Sequence, residues 1–193
     1  MDVEVSHLRA IEAIWDDHLG VATALRSLAP DVDRVVAIMA RSMAAGGALL
    51  VCGNGGSAAD AQHIAAELAG RFFHDRKPLA ALALHGNTSS LTAIANDYGY
   101  DLVFAREVGA HGREGDVLLA ISTSGNSPNI LQAIEAAREK QMVVIGLTGE
   151  GGGKMGDLCD VCLRVPSTST PRIQECHILI GHTICELLEQ ILC

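Results

Sequence analysis

The chain has 193 residues, 49% of them apolar, and a formal net charge of −9, so it can bury one substantial core. The acidic balance argues against nonspecific nucleic-acid binding, and an aromatic content of 3% leaves little for base-stacking platforms. No apolar run reaches the roughly 18 residues that a membrane helix needs, so no membrane partner is expected. The opening MDVEVSHLRAIEAIW has neither a basic segment nor an uninterrupted apolar one. A cytoplasmic protein without a signal peptide is therefore expected. Among the six cysteines only Cys159 and Cys162 form a C-x-x-C, and no second pair answers it. That speaks against a zinc ribbon and for small buried hydrophobes or free thiols.

Residues 5–27 read as a long amphipathic helix with Leu8, Ile11, Trp15, Leu19 and Ala22 along one side. Ala29 and Pro30 interrupt it, and 31–45 reads as a second helix with Val32, Val35, Val36 and Met39 on its apolar face. This helical pair, residues 1–46, precedes the first strand. It is expected either to pack on the sheet-forming unit or, the favoured reading, to form a contact between subunits.

From residue 47 strands and helices alternate. Strands are predicted at 48–52, 79–84, 117–121, 142–147 and 161–165, and helices at 57–71, 88–97, 104–110, 128–139 and 171–192. Gly151, Gly152, Gly153 and Gly156 mark a loose turn. The pattern predicts an α/β fold over 1–193: a flavodoxin-like, doubly wound, five-stranded parallel sheet with two N-terminal helices in a single domain. In such sheets ligands bind where the strand order reverses, commonly between strands one and three.

The loop after strand one is Gly53-Asn54-Gly55-Gly56-Ser57. Gly53, Gly55 and Ala58 fit the dinucleotide pattern G-x-G-x-x-A, yet strand two ends Leu84-His85-Gly86-Asn87 without the acidic residue that binds a ribose. No Lys-Ser/Thr follows for a Walker loop. What remains is a loop whose backbone can approach a ligand closely, with Ser57 as the N-cap of the next helix. The loop after strand three carries Ser122, Thr123, Ser124 and Ser127, with Ser127 at an N-cap and Pro128 at N1. Hydroxyls at a strand's C-terminal end, feeding a helix N-terminus, make an anion site. The plain alternative is a polar connection with a good cap; its place at the switch point favours the site.

Two further groupings bear on chemistry. In helix 57–71, Ala61, Ile64, Ala65 and Leu68 form the buried stripe, and His63 and Glu67 lie one turn apart on a neighbouring face. A surface His–Glu pair is the plain reading. Here the helix starts at the glycine loop, so the pair lines the same crevice, and a His and a carboxylate at this spacing can hold one divalent ion, zinc being the natural choice. Near the C-terminus, Gln174, Ile178 and His182 lie four apart along one line of the closing helix, as an exposed polar face or a functional one.

CGNGGSAADAQHIAAEL, ANDYG, GREGDVLLAISTSGNS and RIQECHILIGH together resemble the SIS (sugar isomerase) fold, and within it the sedoheptulose 7-phosphate isomerases, over nearly the whole chain. The resemblance implies a cytoplasmic homotetramer with active sites near subunit interfaces. It implies conversion of D-sedoheptulose 7-phosphate to D-glycero-D-manno-heptose 7-phosphate through a cis-enediol, the first step of ADP- or GDP-heptose biosynthesis for lipopolysaccharide and other surface glycans. Carried over by position, Asn54, Gly55, Gly56, Asn96, Asp97 and Gln174 contact the phosphosugar. Ser122, Thr123, Ser124 and Ser127 hold its phosphate. His63, Glu67, Gln174 and His182 ligate one zinc ion per subunit, and Glu67, which also touches substrate, and His182 are the acid–base pair. Family members often carry an acidic residue where this chain has Pro171. Gln174 and His182 stand roughly 12 Å apart along a straight helix, so a shared ion asks for a bent helix start, long reach or assembly between subunits. A carboxylate bound to a cation is also a weaker base, which leaves ligand exchange or a structural metal open for Glu67. The rival expectation is a non-catalytic SIS protein that senses phosphosugars or binds the replication initiator. The resemblance implies that the replication-binding relatives lack the counterparts of Glu67 and His182; this chain has both.

Overall fold

The computed structural model describes residues 7–193. A long N-terminal helix, α1 (Leu8–Ala24), passes through a 3-10 turn (Leu25–Leu28) into α2 (Ala29–Ala44). Pro30 does not break the path; it sits in the first turn of α2, where its missing N–H costs nothing. The first two residues of the helix predicted at 5–27 lie outside the described residues.

Then follow β1 (Leu49–Gly53), α3 (Gly56–Ala69), β2 (Ala81–Ala83), α4 (Thr88–Tyr98), α5 (Val103–His111) and β3 (Val117–Ile121). The chain ends with α6 (Pro128–Glu139), β4 (Val143–Gly149), β5 (Val161–Val165) and α7 (Thr170–Leu192). The strands form one parallel sheet in the order β2-β1-β3-β4-β5. The order reverses between β1 and β3, as expected for a doubly wound sheet.

Both central strands are buried along their whole length, and their side chains divide by parity. Leu49, Val51, Val117, Leu119 and Ile121 face the layer of α2, α3 and α7, while Leu50, Cys52, Leu118 and Ala120 face that of α5 and α6. Strand β2 is shorter than predicted because it lies at the sheet edge with only β1 as neighbour. Strand β4 runs two residues past its predicted end because Thr148 and Gly149 pair with Arg164 and Val165.

The N-terminal pair divides. Helix α2 buries Val35, Val36, Met39 and Ala40 in its own chain's core. Helix α1 buries nothing and exposes Leu8, Trp15 and Leu19. It is tied down by Arg172, which donates to the Ile14 carbonyl at 2.7 Å, and by His18, 2.7 Å from Glu175.

Helix α7 is fastened to the segment after α3 by Glu189. Its carboxylate accepts from the backbone N–H groups of Phe72, Phe73 and His74 at 3.0, 2.7 and 2.9 Å and from Arg76 Nε at 3.0 Å. Arg76 in turn donates to the Glu67 and Leu68 carbonyls at the end of α3, at 2.9 and 2.8 Å. Burial pushes the Glu189 carboxyl up, but the N–H groups of Phe73, Phe72 and His74 and the Arg76 guanidinium outweigh it and bring it from 4.5 to about 2. A carboxyl depressed in the folded state stabilises the fold above its unfolded value and loses that contribution as the pH falls through its folded one. Thermal unfolding from pH 7 to 2 is therefore expected to show wild-type stability declining as the pH drops below 4.5 towards about 2. Glu189→Gln should unfold at lower temperature at neutral pH, with a flatter acid limb.

Candidate active site

The crevice at the switch point is walled by the loops after β1 and β3. In the first, Gly55 adopts φ +58° with ψ −120°, a conformation that disfavours any side chain. Gly56 starts α3, and a Cβ there would come within 2.5 Å of the Gln174 amide nitrogen. Ser57 is not the N-cap; Gly55 occupies that place, and Ser57 is buried in the first helical turn. The tight glycine path moves the cap two residues ahead of the predicted one.

In the second loop Ser127 stands at the N-cap of α6 but does not cap it with its side chain. Its hydroxyl turns to Ser122, 3.0 Å away. The Ser127 carbonyl, not its hydroxyl, takes up the donors of the first turn, from Ile130 and Leu131 at 3.0 and 3.1 Å. Ser124 is exposed, Thr123 half-buried and Ser122 buried, so hydroxyls line the loop at graded depth.

An amide pair joins the two loops. Asn54 Nδ2 donates to Asn129 Oδ1 and Asn129 Nδ2 to Asn54 Oδ1, both at 2.9 Å, and the Tyr100 hydroxyl donates to Asn54 Oδ1 at 3.1 Å. Neither Asn129 nor Tyr100 was singled out in the sequence. Asn129 reads there as an ordinary first-turn residue, and only its burial at 2% exposure betrays it. Asn96 and Asp97 lie exposed near the end of α4, where Asn96 Nδ2 donates to Asp97 Oδ1 at 2.8 Å.

The second grouping lies between α3 and α7. Gly181 lets the helices approach: a Cβ there would stand 2.8 Å from Ile64 Cδ1. His63 Nε2 is 3.1 Å from Glu67 Oε1 and 3.4 Å from His182 Nε2, and the three donor atoms lie within 4.8 Å of one another. Tetrahedral zinc with bonds of about 2.0–2.1 Å sets its donors roughly 3.3 Å apart, so two imidazoles and a carboxylate at these spacings fit such an ion. The ring of Phe72, held by the Glu189 clamp, packs 5.6 Å from that of His182. Asp60, one turn before His63, has its carboxyl raised to about 6 by burial, partly offset by the charge of His63.

Three of the four residues expected at the ion therefore converge in one chain. Gln174 stands with the glycine loop, against Gly56. Its Cα is two turns of α7, about 12 Å, from that of His182. Helix α7 begins at Thr170 with Pro171 in its first turn, so the departure at 171 falls on the helix start that presents Gln174.

Residues 20–149 match the SIS domain family. A phosphoheptose isomerase of Rhodospirillum rubrum is 60% identical over 169 residues, covering 88% of this chain and 90% of that protein. Phosphoheptose isomerase 1 of Campylobacter jejuni is 50% identical over 183 residues, 95% of this chain and 98% of that one. The solved structure of the phosphoheptose isomerase GmhA from Neisseria gonorrhoeae superposes with a TM-score of 0.91 at 44% identity, over 96% of this chain and all of that one.

Truncating Asn129 leaves the Asn54 amide without either of its reciprocal partners. Asn129→Ala is expected to lower stability by about 1–3 kcal/mol in urea unfolding, the range for stranding a buried hydrogen-bonding group.

Proposed function

The chain belongs to the phosphoheptose isomerases of the SIS domain family, and from that membership we propose how its own residues carry the reaction. It interconverts D-sedoheptulose 7-phosphate and D-glycero-D-manno-heptose 7-phosphate, the entry to ADP- or GDP-heptose biosynthesis. The observation that carries the reading is the convergence of His63, Glu67 and His182 beside a crevice that ends in a hydroxyl loop on a helix N-terminus.

Ser122, Thr123, Ser124 and Ser127 bind the phosphate with the N-terminus of α6. Asn54, Gly55, Gly56, Asn96, Asp97 and Gln174 hold the sugar chain. Anchoring the far end turns remote binding energy into placement of carbons 1 and 2. Glu67 removes a proton from C1 of the open-chain ketose while His182 protonates the oxygen on C2, giving a cis-enediol. Proton loss from the C1 hydroxyl to His182 and return of the first proton by Glu67 to C2 complete the aldose. His63, Glu67 and His182, with Gln174 as the fourth candidate, would hold one zinc ion, which supplies Lewis-acid polarisation of the sugar carbonyl. Because charge donated to a cation weakens a base, an ion held by Glu67 would call for exchange of that ligand or have a structural role.

The apolar side of α1 supports assembly, with Leu8 and Trp15 exposed at 67% and 66%; a homotetramer with sites near its interfaces is the reading adopted. A phosphorylated substrate that does not cross bilayers unaided supports a cytoplasmic location. A non-catalytic SIS protein would have no use for Glu67 and His182 together.

The decisive assay is conversion of sedoheptulose 7-phosphate by metal-quantified protein, with and without chelator. Turnover lost to chelator and restored by zinc is expected; turnover indifferent to chelator removes the ion from the chemistry. No turnover by folded, zinc-loaded protein overturns the isomerase reading. Glu67→Gln should lower kcat by about 10²–10⁴-fold, the usual worth of a general base. Near-normal turnover in that variant would reassign the base.

A further inference from the structure

Cys159 and Cys162, the chain's one C-x-x-C, have no part in the isomerase site. Cys162 is the second residue of β5, and Cys159 stands in the bend before it. Opposite Cys162 in the register of β4 lies Gly146, whose missing side chain leaves a pocket for both sulfurs. A Cβ on Gly146 would lie 2.8 Å from Cys159 Sγ and 3.3 Å from Cys162 Sγ. Both sulfurs thus converge on one point beside Gly146, and Arg164, two residues along the same strand from Cys162, pairs with Asp157 Oδ1 at 3.8 Å. The neighbouring Cys159 thiol first, and then Arg164, draw the Cys162 thiol down against the effect of burial, from 9.0 to about 7. The neighbouring Cys162, with burial, pushes Cys159 up. Of the two sulfurs Cys162 is the one whose thiolate is favoured, which makes it the candidate attacking cysteine and Cys159 the resolving one. Both are partly open to solvent.

The pair also stands at one end of a strut. The Arg164 guanidinium packs under Gly152 and Gly156. Gly152 and Gly153 lie directly on Ser124 and Gly125 of the hydroxyl loop. Met155 N donates to the Gly125 carbonyl and Lys154 N to Asn126 Oδ1, each at 3.0 Å, and Gly149 N to the Thr123 carbonyl at 3.0 Å. The turn read from sequence as loose is the support of the phosphate loop.

We propose that Cys159 and Cys162 are a redox-responsive dithiol, and that its oxidation by a hydroperoxide to an internal disulfide weakens the hydroxyl loop's hold on phosphate. The Cys162 thiolate attacks the peroxide, the O–O bond breaks, and the departing oxygen takes a proton to leave as alcohol or water. Cys159, giving up its proton, then attacks the Cys162 sulfenic acid and expels water. The two sulfurs lose two electrons and the peroxide gains them. The new bond holds the sulfurs about 2 Å apart, drawing the bend at Cys159 towards β5. It also removes the Cys162 thiolate beside Arg164, leaving Asp157 as the guanidinium's partner, and Arg164 is what fills the space beneath Gly152 and Gly156. The effect on phosphate rests on the isomerase reading; the thiol chemistry does not.

The test uses the full chain, reduced and then exposed to hydrogen peroxide, alkylated and mapped by peptide mass. A Cys159–Cys162 linkage reversed by dithiothreitol is expected. With it the KM for sedoheptulose 7-phosphate should rise about 3- to 10-fold with kcat much less affected, about the cost of one lost anchoring contact. Cys162→Ser should show neither change, and Cys159→Ser should stop at a dimedone-reactive sulfenic acid on Cys162. Both cysteines still alkylated while exposed Cys193 is oxidised would overturn the proposal, and that mapping needs no variant to fold. A linkage that leaves KM unchanged would overturn the strut.

Discussion

Neighbouring strands β1 and β3 send their helices to opposite faces of the sheet, and everything at the crevice follows from that divergence. Helix α3 leaves towards the layer of α2 and α7, helix α6 towards that of α5. No chain crosses the gap between them, yet both helices begin beside it with their positive ends turned inward. The gap has to be bridged by side chains, and the reciprocal pairing of Asn54 with Asn129 is that bridge. With the Tyr100 hydroxyl it takes up most of the Asn54 amide's hydrogen-bonding capacity, leaving one side-chain N–H.

The grouping of His63, Glu67 and His182 depends on a different contact. His63 and Glu67 need only a single helix turn to meet, but His182 arrives from more than a hundred residues away. Two features admit it: Gly181, which lets α7 settle against Ile64, and the Glu189–Arg76 clamp, which folds the segment after α3 back over the helix ends. Arg76 satisfies the carbonyl of Glu67 itself, so the clamp also steadies the backbone that carries the carboxylate.

Strand number, parallel order and the switch point were readable because apolar runs of strand length recur between helical periods. The glycine and hydroxyl loops were readable because they follow the two strands where such sheets place ligands. The capping details were not. Ser57 and Ser127 have the right residue type at a helix start, but a positive φ at Gly55 moves one helix forward and Ser122 draws the other hydroxyl away. The buried role of Asn129, the passage of Tyr100 onto Asn54 and the partner of Glu189 are pairings across at least 46 residues, with no local periodicity to announce them. The N-terminal pair divided for the same reason: α1 and α2 carry similar apolar stripes, and which one meets the core is decided by distant surfaces.

The contact of Gly125 with Gly152 and Gly153 has a consequence for how this sequence can drift. Backbone rests on backbone there, and all three glycines also have positive φ. A side chain at Gly125 or Gly153 meets main chain that cannot rotate aside, and a compensating change in the partner loop has no atom left to remove. These positions therefore cannot trade substitutions as packed side chains do. Random libraries that vary them, singly or together, should return glycine, and lineages with altered sugar preference must find their variation elsewhere on the crevice wall.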